Sequence, residues 1–337
     1  MNLLRNSLSV LFLTMTTMWA STSESPVSKP LYQDPIYDGA ADPVVVYNSA
    51  KDSWYMFYTN RRANVEGLSG VAWVHGTPIG IAESKDHGHS WSYLQDADID
   101  LTGVTDIKEG LTYWAPEVYV KSSGNYYMFL TLVPGIFENW KHPRSMIQLE
   151  SDDLLHWGNA KTLTLASDRV IDACILEIET GHWHLWYNNE RDHKSIYYAD
   201  STDLSNWTPI GKAVGDQGGE GPKVFRWKGY IWMVVDVWDG LAVYRSEDAL
   251  NWERLPENLL QKPGKGPDDQ VIGSHPDVVV SDDRAYLFYF THPGRTPENK
   301  GKDGYEMRRS SIQVVELDYH DGILSCDRDQ PTFVDLK

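Results

Sequence analysis

The segment Ala41-Asp42-Pro43-Val44-Val45-Val46 and the aromatic run Trp54-Tyr55-Met56-Phe57-Tyr58 decide the fold, because this pair returns four more times along the chain. The later openings are Trp114-Ala115-Pro116-Glu117-Val118, Ile171-Asp172-Ala173-Cys174-Ile175, Glu220-Gly221-Pro222-Lys223-Val224 and Ser274-His275-Pro276-Asp277-Val278. The later aromatic runs are Tyr126-Tyr127-Met128-Phe129-Leu130, Trp183-His184-Leu185-Trp186-Tyr187, Tyr230-Ile231-Trp232-Met233-Val234 and Tyr286-Leu287-Phe288-Tyr289-Phe290. A strand-rich repeat of about 50 residues is typical of propellers, in which each repeat forms one four-stranded blade. The sequence therefore predicts an all-β fold, a five-bladed β-propeller.

A polar turn that ends in tryptophan supports the same repeat. It runs from Ser84 to Trp91 and returns as Ser151-Asp152-Asp153…Trp157, Ser201-Thr202-Asp203…Trp207 and Ser246-Glu247-Asp248…Trp252. Ser and Asp side chains can cap such a turn, and the tryptophan can fold over the edge of the blade. We expect these tryptophans to be packing residues rather than ligand platforms.

The N-terminal residues differ from the repeats. Residues 1–20 combine a charge at Arg5, a short apolar run and the small residue Ala20, which is the pattern of a secretory signal peptide. The apolar run is short for a membrane anchor. Residues 21–33 are expected to be a flexible leader, and residues 34–337 one propeller domain. The expected location of the mature protein is periplasmic or secreted.

Composition excludes some partners without identifying one. The formal net charge of −18 argues against nucleic acid and against an anionic membrane surface. Cys174 and Cys326 show no metal-ligand spacing, so a zinc site built on cysteine is not expected, and a disulfide between them stays open. Trp and Tyr are abundant, and aromatic faces stack on sugar rings, but core packing explains most of them equally well.

Three carboxylates stand at the openings of the repeats. Asp42, Asp172 and Glu220 each lie at the start of an innermost strand, and these strand starts should meet at one end of the central channel. Two carboxyl groups across a cleft are the minimum equipment for glycoside hydrolysis, with a separation of roughly 6.5–9.5 Å for an inverting reaction. A third carboxylate nearby can raise the pKa of the acid. The alternative is that each caps a turn at the end of a strand.

These motifs, in this order and spacing, resemble glycoside hydrolase family 43 over most of the chain. The resemblance implies a five-bladed propeller that inverts anomeric configuration. It makes Asp42 the general base, Asp172 the residue that tunes and orients the acid, and Glu220 the general acid. It also places His275 on the channel axis, where it could hold a water or a metal ion. No cofactor is expected to be required, although a structural Ca²⁺ or Na⁺ ion could sit in the channel.

Substrate specificity should come from an insertion in the first repeat, residues 60–76, which is longer than the corresponding segment of the other repeats. Its candidates for substrate binding are Arg61, Arg62, Trp73 and His75, and an arginine there suits a carboxylate or sulfate on a sugar. The alternative is that these arginines offset acidic surface. Further sugar platforms are expected at Trp114 and Trp238.

The function that these features favour is an exported, inverting glycoside hydrolase acting on side chains or oligosaccharides of plant or algal polysaccharides, similar to an arabinofuranosidase or a xylosidase. Its expected partner is a carbohydrate, with no nucleic acid and no insertion into a membrane. Two alternatives stay open. One is a related propeller enzyme, such as an anhydro-galactosidase or a glycoside phosphorylase, the latter needing a basic phosphate pocket. The other is a noncatalytic carbohydrate-binding propeller, which would not need the three acids.

Overall fold

The computed structural model describes residues 25–122 and 124–337, and regular structure in this part of the chain is almost entirely β-strand. The predicted signal peptide, residues 1–20, lies outside the described residues. Exceptions to the β-structure are one short helix, α1 (Tyr305–Arg308), and two 3-10 turns (Ala72–Val74 and Pro297–Asn299). None of the helices described is long and apolar enough to span a bilayer.

The first 20 strands form five sheets, one for each repeat, arranged as a five-bladed β-propeller, and their pairing is antiparallel except for one short strand of blade 2. Blade 1 contains β1 (Ala40–Asn48), β2 (Ser53–Asn60), β3 (Ile79–Ser84) and β4 (Ser92–Asp96). Blade 2 contains β5 (Asp98–Ile99), β6 (Thr112–Ser122), β7 (Asn125–Val133), β8 (Ser145–Ser151) and β9 (His156–Thr162). Blade 3 contains β10 (Val170–Glu179), β11 (His182–Asn189), β12 (Ser195–Ser201) and β13 (Thr208–Val214). Blade 4 contains β14 (Glu220–Trp227), β15 (Tyr230–Asp236), β16 (Leu241–Ser246) and β17 (Glu253–Arg254). Blade 5 contains β18 (Ser274–Ser281), β19 (Arg284–Thr291) and β20 (Ser311–Glu316), and a hairpin of β21 (Asp318–His320) and β22 (Ile323–Ser325) follows.

The innermost strands close a ring around the channel. Strand β1 packs against β6, β6 against β10, β10 against β14, β14 against β18, and β18 again against β1. The expectation of four strands in every blade is wrong for two blades. Blade 2 gains the short parallel strand β5, and blade 5 has three strands of its own.

The segment predicted to be a flexible leader completes the fifth blade. Tyr32 forms an isolated antiparallel bridge with Ile312 of β20, through hydrogen bonds of 3.2 and 2.9 Å in the two directions. Val27, Leu31 and Tyr32 are buried in one core cluster with residues of blades 1 and 5. The described part of the leader, residues 25–33, is therefore packed against the propeller, and the domain begins before residue 34. The physical reason is that three apolar side chains leave water there.

The aromatic runs form the core between the blades. Phe57, Phe129, Trp186, Trp232 and Phe288 lie on the second strands of the five blades, and each has no exposed surface. Burying one such side chain contributes about 1.5–3 kcal/mol, so each second strand adds substantially to the stability of the fold.

The polar turns are structural, as predicted. In blade 3, for example, the Asp203 carboxylate accepts the backbone N–H groups of Ser205 and Asn206 at 2.8 and 2.7 Å. Trp157 is buried in the core cluster shared by blades 1 and 2. Cys174 and Cys326 are both free thiols, so the disulfide that the sequence left open does not form.

Every innermost strand starts with the same bulge, and this bulge positions the site. The pairing register between the first and second strands shifts by one residue at the openings of all five blades. The first bulged residue has a positive φ in every case: Asp42 (52°), Ala115 (47°), Asp172 (58°), Gly221 (56°) and His275 (33°). A residue other than glycine loses roughly 1–2 kcal/mol in this conformation. Such strain is common at functional sites, and Asp and His tolerate it better than most residues.

Candidate active site

The strand openings surround a cavity of about 530 Å³ at one end of the channel, a volume suited to a small ligand. The loops that follow the second strands build its rim, because antiparallel strands bring these loops to the same end as the openings. The cavity is lined by carboxylates, cations and aromatic rings: Asp42, Arg61, Trp73, Val74, Trp114, Trp140, Arg144, Ile171, Asp172, Glu190, Lys194, Glu220, Asp236, Trp238, Ser274, His275, Phe290, His292 and Arg295. The three acids expected to converge therefore do so.

Their places in the blades differ in one respect from the expectation. Asp42 and Asp172 are equivalent, since both are the positive-φ residue of their bulge. Glu220 precedes that position by one residue, and Gly221 occupies it. The true counterpart of Glu220 in blade 2 is Trp114. Because of this one-residue offset, the Glu220 side chain leaves the strand at a different position from those of Asp42 and Asp172. The positive φ of blade 4 falls on a glycine, which adopts it without strain.

Asp42 is held as a carboxylate. One guanidinium nitrogen of Arg61, Nη2, donates to both Asp42 oxygens, at 2.9 and 3.1 Å. His275 Nδ1 lies 3.4 Å from Oδ1 of the same group. Burial favours the neutral acid, but the charge of Arg61 and the contact with His275 outweigh it and lower the pKa of Asp42 below its usual value. A buried carboxylate that stays ionised is suited to accept a proton.

Arg61 is fixed in turn by blade 5. Its Nη1 lies 3.1 Å from Nε2 of His292, and its guanidinium lies over the ring of Phe290, 4.7 Å from the centroid. Burial lowers the pKa of His292 well below its usual value, so this ring is neutral and can accept a hydrogen bond. Arg61 is therefore committed to orienting Asp42, and it is not a free ligand for a sugar substituent.

Glu220 lies in a more open setting, with about a quarter of its side chain exposed. Lys194 Nζ donates to Oε2 at 2.9 Å, and the indole of Trp238 donates to Oε1 at 3.2 Å. The ammonium of Lys194 also lies over the Trp238 ring, 4.6 Å from its centroid. The group expected to be the acid is thus hydrogen-bonded from two sides and points into the cavity.

Two further carboxyl groups lie under Glu220. Burial, followed by the charge of Glu220, raises the pKa of Asp172 well above its usual value. Asp236 is also buried, and burial and Glu220 raise its pKa to about 7. Asp172 accepts the backbone N–H of Gly221 at 3.1 Å, whereas Asp236 accepts those of Trp238 and His275 at 2.8 and 3.0 Å. Both carboxyl groups therefore take up a proton more readily than a free carboxyl group, and both lie next to the expected acid.

The sequence analysis missed Asp236, although a signal was available. Asp236 pairs directly with Glu220 across β14 and β15. The corresponding residues of blades 1 and 2 are Thr59 and Thr131, whose hydroxyls accept the backbone N–H of Ala115 and Asp172. Alignment of the ends of the second strands would have revealed a single acid at this place. The cations Arg144 and Lys194 were missed because they lie on loops between the second and third strands, where the repeat has no pattern.

The cavity has four tryptophans, and they differ in exposure. Trp73 and Trp114 each have 8% of their surface exposed and form part of the wall, with the Trp114 indole donating to the Val74 carbonyl at 2.6 Å. Trp140 and Trp238 are 52% and 47% exposed, although the Lys194 ammonium lies over one face of the Trp238 ring. Trp73, Trp114 and Trp238 were expected here, whereas Trp140 was not. The two exposed rings are the better sugar platforms.

Two expected ligand residues of the insertion lie outside the cavity wall. Arg62 donates to the carbonyls of His75 and Ala72, at 2.6 and 2.7 Å, and so folds the insertion onto itself. His75 is fully buried, 3.0 Å from His142 between Nε2 atoms. The prediction that Arg62 and His75 bind substrate is therefore wrong, because Arg62 holds the insertion together and His75 packs against His142 of blade 2. Arg61 and Trp73 do line the cavity.

Three charged side chains meet below the cavity: Glu117, Lys223 and Asp277. Each follows the positive-φ residue of its strand by two positions. The Lys223 ammonium lies 3.0 Å from Glu117 and 2.7 Å from Asp277, and all three side chains are nearly buried. This arrangement joins blades 2, 4 and 5. A Ca²⁺ or Na⁺ ion does not fit between these carboxylates, because the lysine already supplies the positive charge there. His275, the other residue considered for an ion, has its Nδ1 directed at Asp42.

Fold and site together define a class: a five-bladed propeller in which carboxylates from blades 1, 3 and 4 converge in a sugar-sized cavity is a glycoside hydrolase. The family model described as a probable glycosyl hydrolase domain, of the group related to family 43, matches residues 28–245. This match covers more than half of the chain, so the protein belongs to this glycoside hydrolase 43-related family. No curated protein matches the chain significantly.

Solved structures with the same fold are more distant in sequence. A thermostable family-43 glycoside hydrolase superposes with a TM-score of 0.63 at 20% identity, covering 90% of this chain and 97% of its own. A family-43 β-1,3-galactosidase with galactodeoxynojirimycin gives 0.62 at 14% identity, with coverage of 93% and 100%. The GH43_1 enzyme from Xanthomonas citri complexed with xylotriose gives 0.62 at 14% identity, with coverage of 90% and 94%. At these identities the likeness establishes the fold.

Proposed function

We propose that this protein is an exported, inverting glycoside hydrolase in which Asp42 is the general base and Glu220 the general acid. One observation carries the proposal. The two carboxylates line one cavity in opposite electrostatic settings, since Arg61 lowers the pKa of Asp42, whereas Glu220 lies beside the buried carboxyl groups of Asp172 and Asp236, whose pKa values are raised. A single displacement at an anomeric carbon needs an ionised base and an acid that can deliver a proton.

The reaction follows from these settings. Asp42 removes a proton from a water as the water attacks the anomeric carbon, while Glu220 protonates the leaving oxygen. Arg61 and His275 orient Asp42, and Asp172 orients the Glu220 strand by accepting the N–H of Gly221. Lys194 holds the Glu220 carboxyl group by an ion pair, and the leaving oxygen of the sugar would have to displace this contact.

The substrate class is proposed from the cavity and from the family. A volume of about 530 Å³ suits one or two sugar units at the end of a chain or a side chain of a plant or algal polysaccharide. Solved neighbours include a galactosidase and an enzyme complexed with xylotriose, so an arabinosyl or xylosyl group is proposed here and a galactosyl group competes with it. Trp140 and Trp238 would stack on the rings.

A phosphorylase is less well supported, because the cations of the cavity are already matched. Arg61 pairs with Asp42, Arg144 with Glu190 and Lys194 with Glu220. Of the cavity-lining cations, Arg295 has no ion-pair partner among the described residues. A single guanidinium without an ion pair is less than the cluster of cations that a phosphate needs. We also propose that no metal is required, because Lys223 takes the place of a channel cation.

The test is to screen the mature protein on aryl glycosides and on plant and algal polysaccharides, and to follow the first product by proton NMR. An inverting enzyme releases the anomer opposite to that of the substrate before mutarotation. The control is Asp152→Asn, which changes an exposed carboxylate on a turn remote from the cavity. Retention of configuration, or activity that depends on added phosphate, would refute the proposal.

A further inference from the structure

The third blade has a cluster of His182, His184 and Asp200 that the proposed reaction does not use. His182 and His184 are alternate residues of β11, so they share one face of the strand. Asp200 lies on β12 directly opposite His184. On the other side, His182 pairs with Glu179 at the far end of β10, whereas the cavity lies at the beginning of β10. The cluster is therefore at the end of the blade remote from the active site.

The three side chains bring one potential ligand atom each to a common point. His184 Nε2 lies 2.8 Å from Oδ1 of Asp200, and His182 Nε2 lies 3.5 Å from Oδ2 of the same carboxylate. The three potential ligand atoms all lie within 4.8 Å of one another. Asp200 forms no ion pair with Lys or Arg among the described residues, and its carboxylate contacts the two histidines instead.

Hydrogen bonding does not account for this arrangement. Asp200 Oδ1 and His184 Nδ1 are buried atoms with no hydrogen-bond partner in the described part of the chain. Oδ1 lies only 2.8 Å from His184 Nε2, but the two groups are not aligned for a hydrogen bond. Buried polar groups without partners are rare because each loses free energy of hydration. Electron-rich atoms that converge without sharing a hydrogen are typical of a cation site.

We propose that His182, His184 and Asp200 bind one Zn²⁺ ion, with water as the fourth ligand. Zinc takes imidazole and carboxylate ligands at about 2.0–2.2 Å in a tetrahedron, which puts ligand atoms about 3.3 Å apart. Two of the contacts are already near this value, and the third closes when His182 rotates. About a third of the His182 side chain is exposed, so the ring can turn and the ion can enter, while His184 is a buried anchor.

The ion would join two neighbouring strands of blade 3. Because zinc would bind the folded chain and not the separated strands, binding should raise the melting temperature in proportion to the logarithm of the zinc concentration. The aromatic rings of Trp186 and Tyr198 enclose the His184 ring on the same blade, with centroids 5.3 and 4.9 Å away. They keep water from the inner side of the site, which favours a bound ion over hydration.

The experiment titrates the EDTA-treated, dialysed full-length mature protein with ZnCl₂ in a calorimeter, and with CoCl₂ in an absorption spectrometer. We expect one Zn²⁺ per chain and the visible bands of tetrahedral Co²⁺. His182→Ala and Asp200→Asn should weaken zinc binding roughly tenfold or more. Both residues are partly exposed, so these variants keep the buried anchor. Melting temperatures without metal verify that they fold.

The matched control is His156→Ala, which removes an exposed histidine 2.7 Å from Asp153 in another blade, an ordinary surface pair. It should leave zinc binding unchanged. No saturable binding to the unmodified protein would overturn the proposal, as would equal affinity in His182→Ala or Asp200→Asn. A loss of hydrolytic activity in all proteins would count against the proposed function and not against the metal site, because binding is measured without substrate.

Discussion

The contact between Lys194 and Glu220 makes a quantitative prediction about pH dependence. The ammonium nitrogen lies 2.9 Å from the carboxylate that must be protonated for the reaction, and it stabilises the ionised form. Both side chains are partly exposed, 37% and 27%, so solvent screens their attraction. With the dielectric of water this attraction is about 1.4 kcal/mol at the observed distance, which corresponds to about one pH unit.

Lys194→Met should therefore move the alkaline limb of the kcat/KM profile toward higher pH by about one unit. The direction follows because Glu220 must be protonated to act as the acid. Without the neighbouring ammonium group of Lys194, it should keep its proton to a higher pH. The assay is the initial rate on an unactivated glycoside over the pH range of activity. The control is Lys212→Met, because Lys212 forms a comparable ion pair with Asp192, at 2.6 Å, outside the cavity. A limb that stays in place or moves toward acid would show that Glu220 is not the group that donates the proton.

Glu220→Gln should reduce the hydrolysis of a natural substrate by about 10²–10⁴-fold and should spare an aryl glycoside with a good leaving group. Asp42→Asn should abolish the hydrolysis of both substrates. Equal losses on both substrates in Glu220→Gln would contradict these roles. Asp172→Asn should shift the alkaline limb toward acid, because a coupled pair of carboxyl groups loses its last proton at higher pH than one group alone, and an unmoved limb would argue against the coupling. Leu31→Ala should destabilise the protein by about 2–5 kcal/mol in urea unfolding, compared with less than about 0.5 kcal/mol for the exposed Ile36→Ala, and similar values for the two would mean that the leader segment does not close the ring.

The sequence predicted the blades and most of the acids because both depend on a repeat. Strand pairs with buried aromatic residues recur at nearly constant spacing, and Asp42 and Asp172 follow from the same alignment. Glu220 lies one residue before the bulge position that Asp42 and Asp172 occupy. Strand propensities do not locate a bulge to a single residue, so the sequence could not predict this offset. Asp236 could have been found by aligning the second strands.

What the sequence did not predict depends on contacts between distant segments. Arg61 and Arg62 are neighbours of the same residue type, yet one orients the base and the other supports a loop. The difference arises because successive residues of an extended segment point in different directions. The role of Leu31 and Tyr32 was missed for a similar reason, since a single bridge to Ile312 leaves no periodic pattern in the leader.

The bridge between Tyr32 and Ile312 has a consequence for how the chain folds. It joins two residues that lie 280 positions apart in the sequence. Bringing such distant segments together costs about 5 kcal/mol of loop-closure entropy, so the seam should form last. Until β20 is available, the segment around Tyr32 has no strand to pair with. The sheets consist of consecutive strands that can pair without this contact, so the propeller should assemble blade by blade and be closed by this contact at the end.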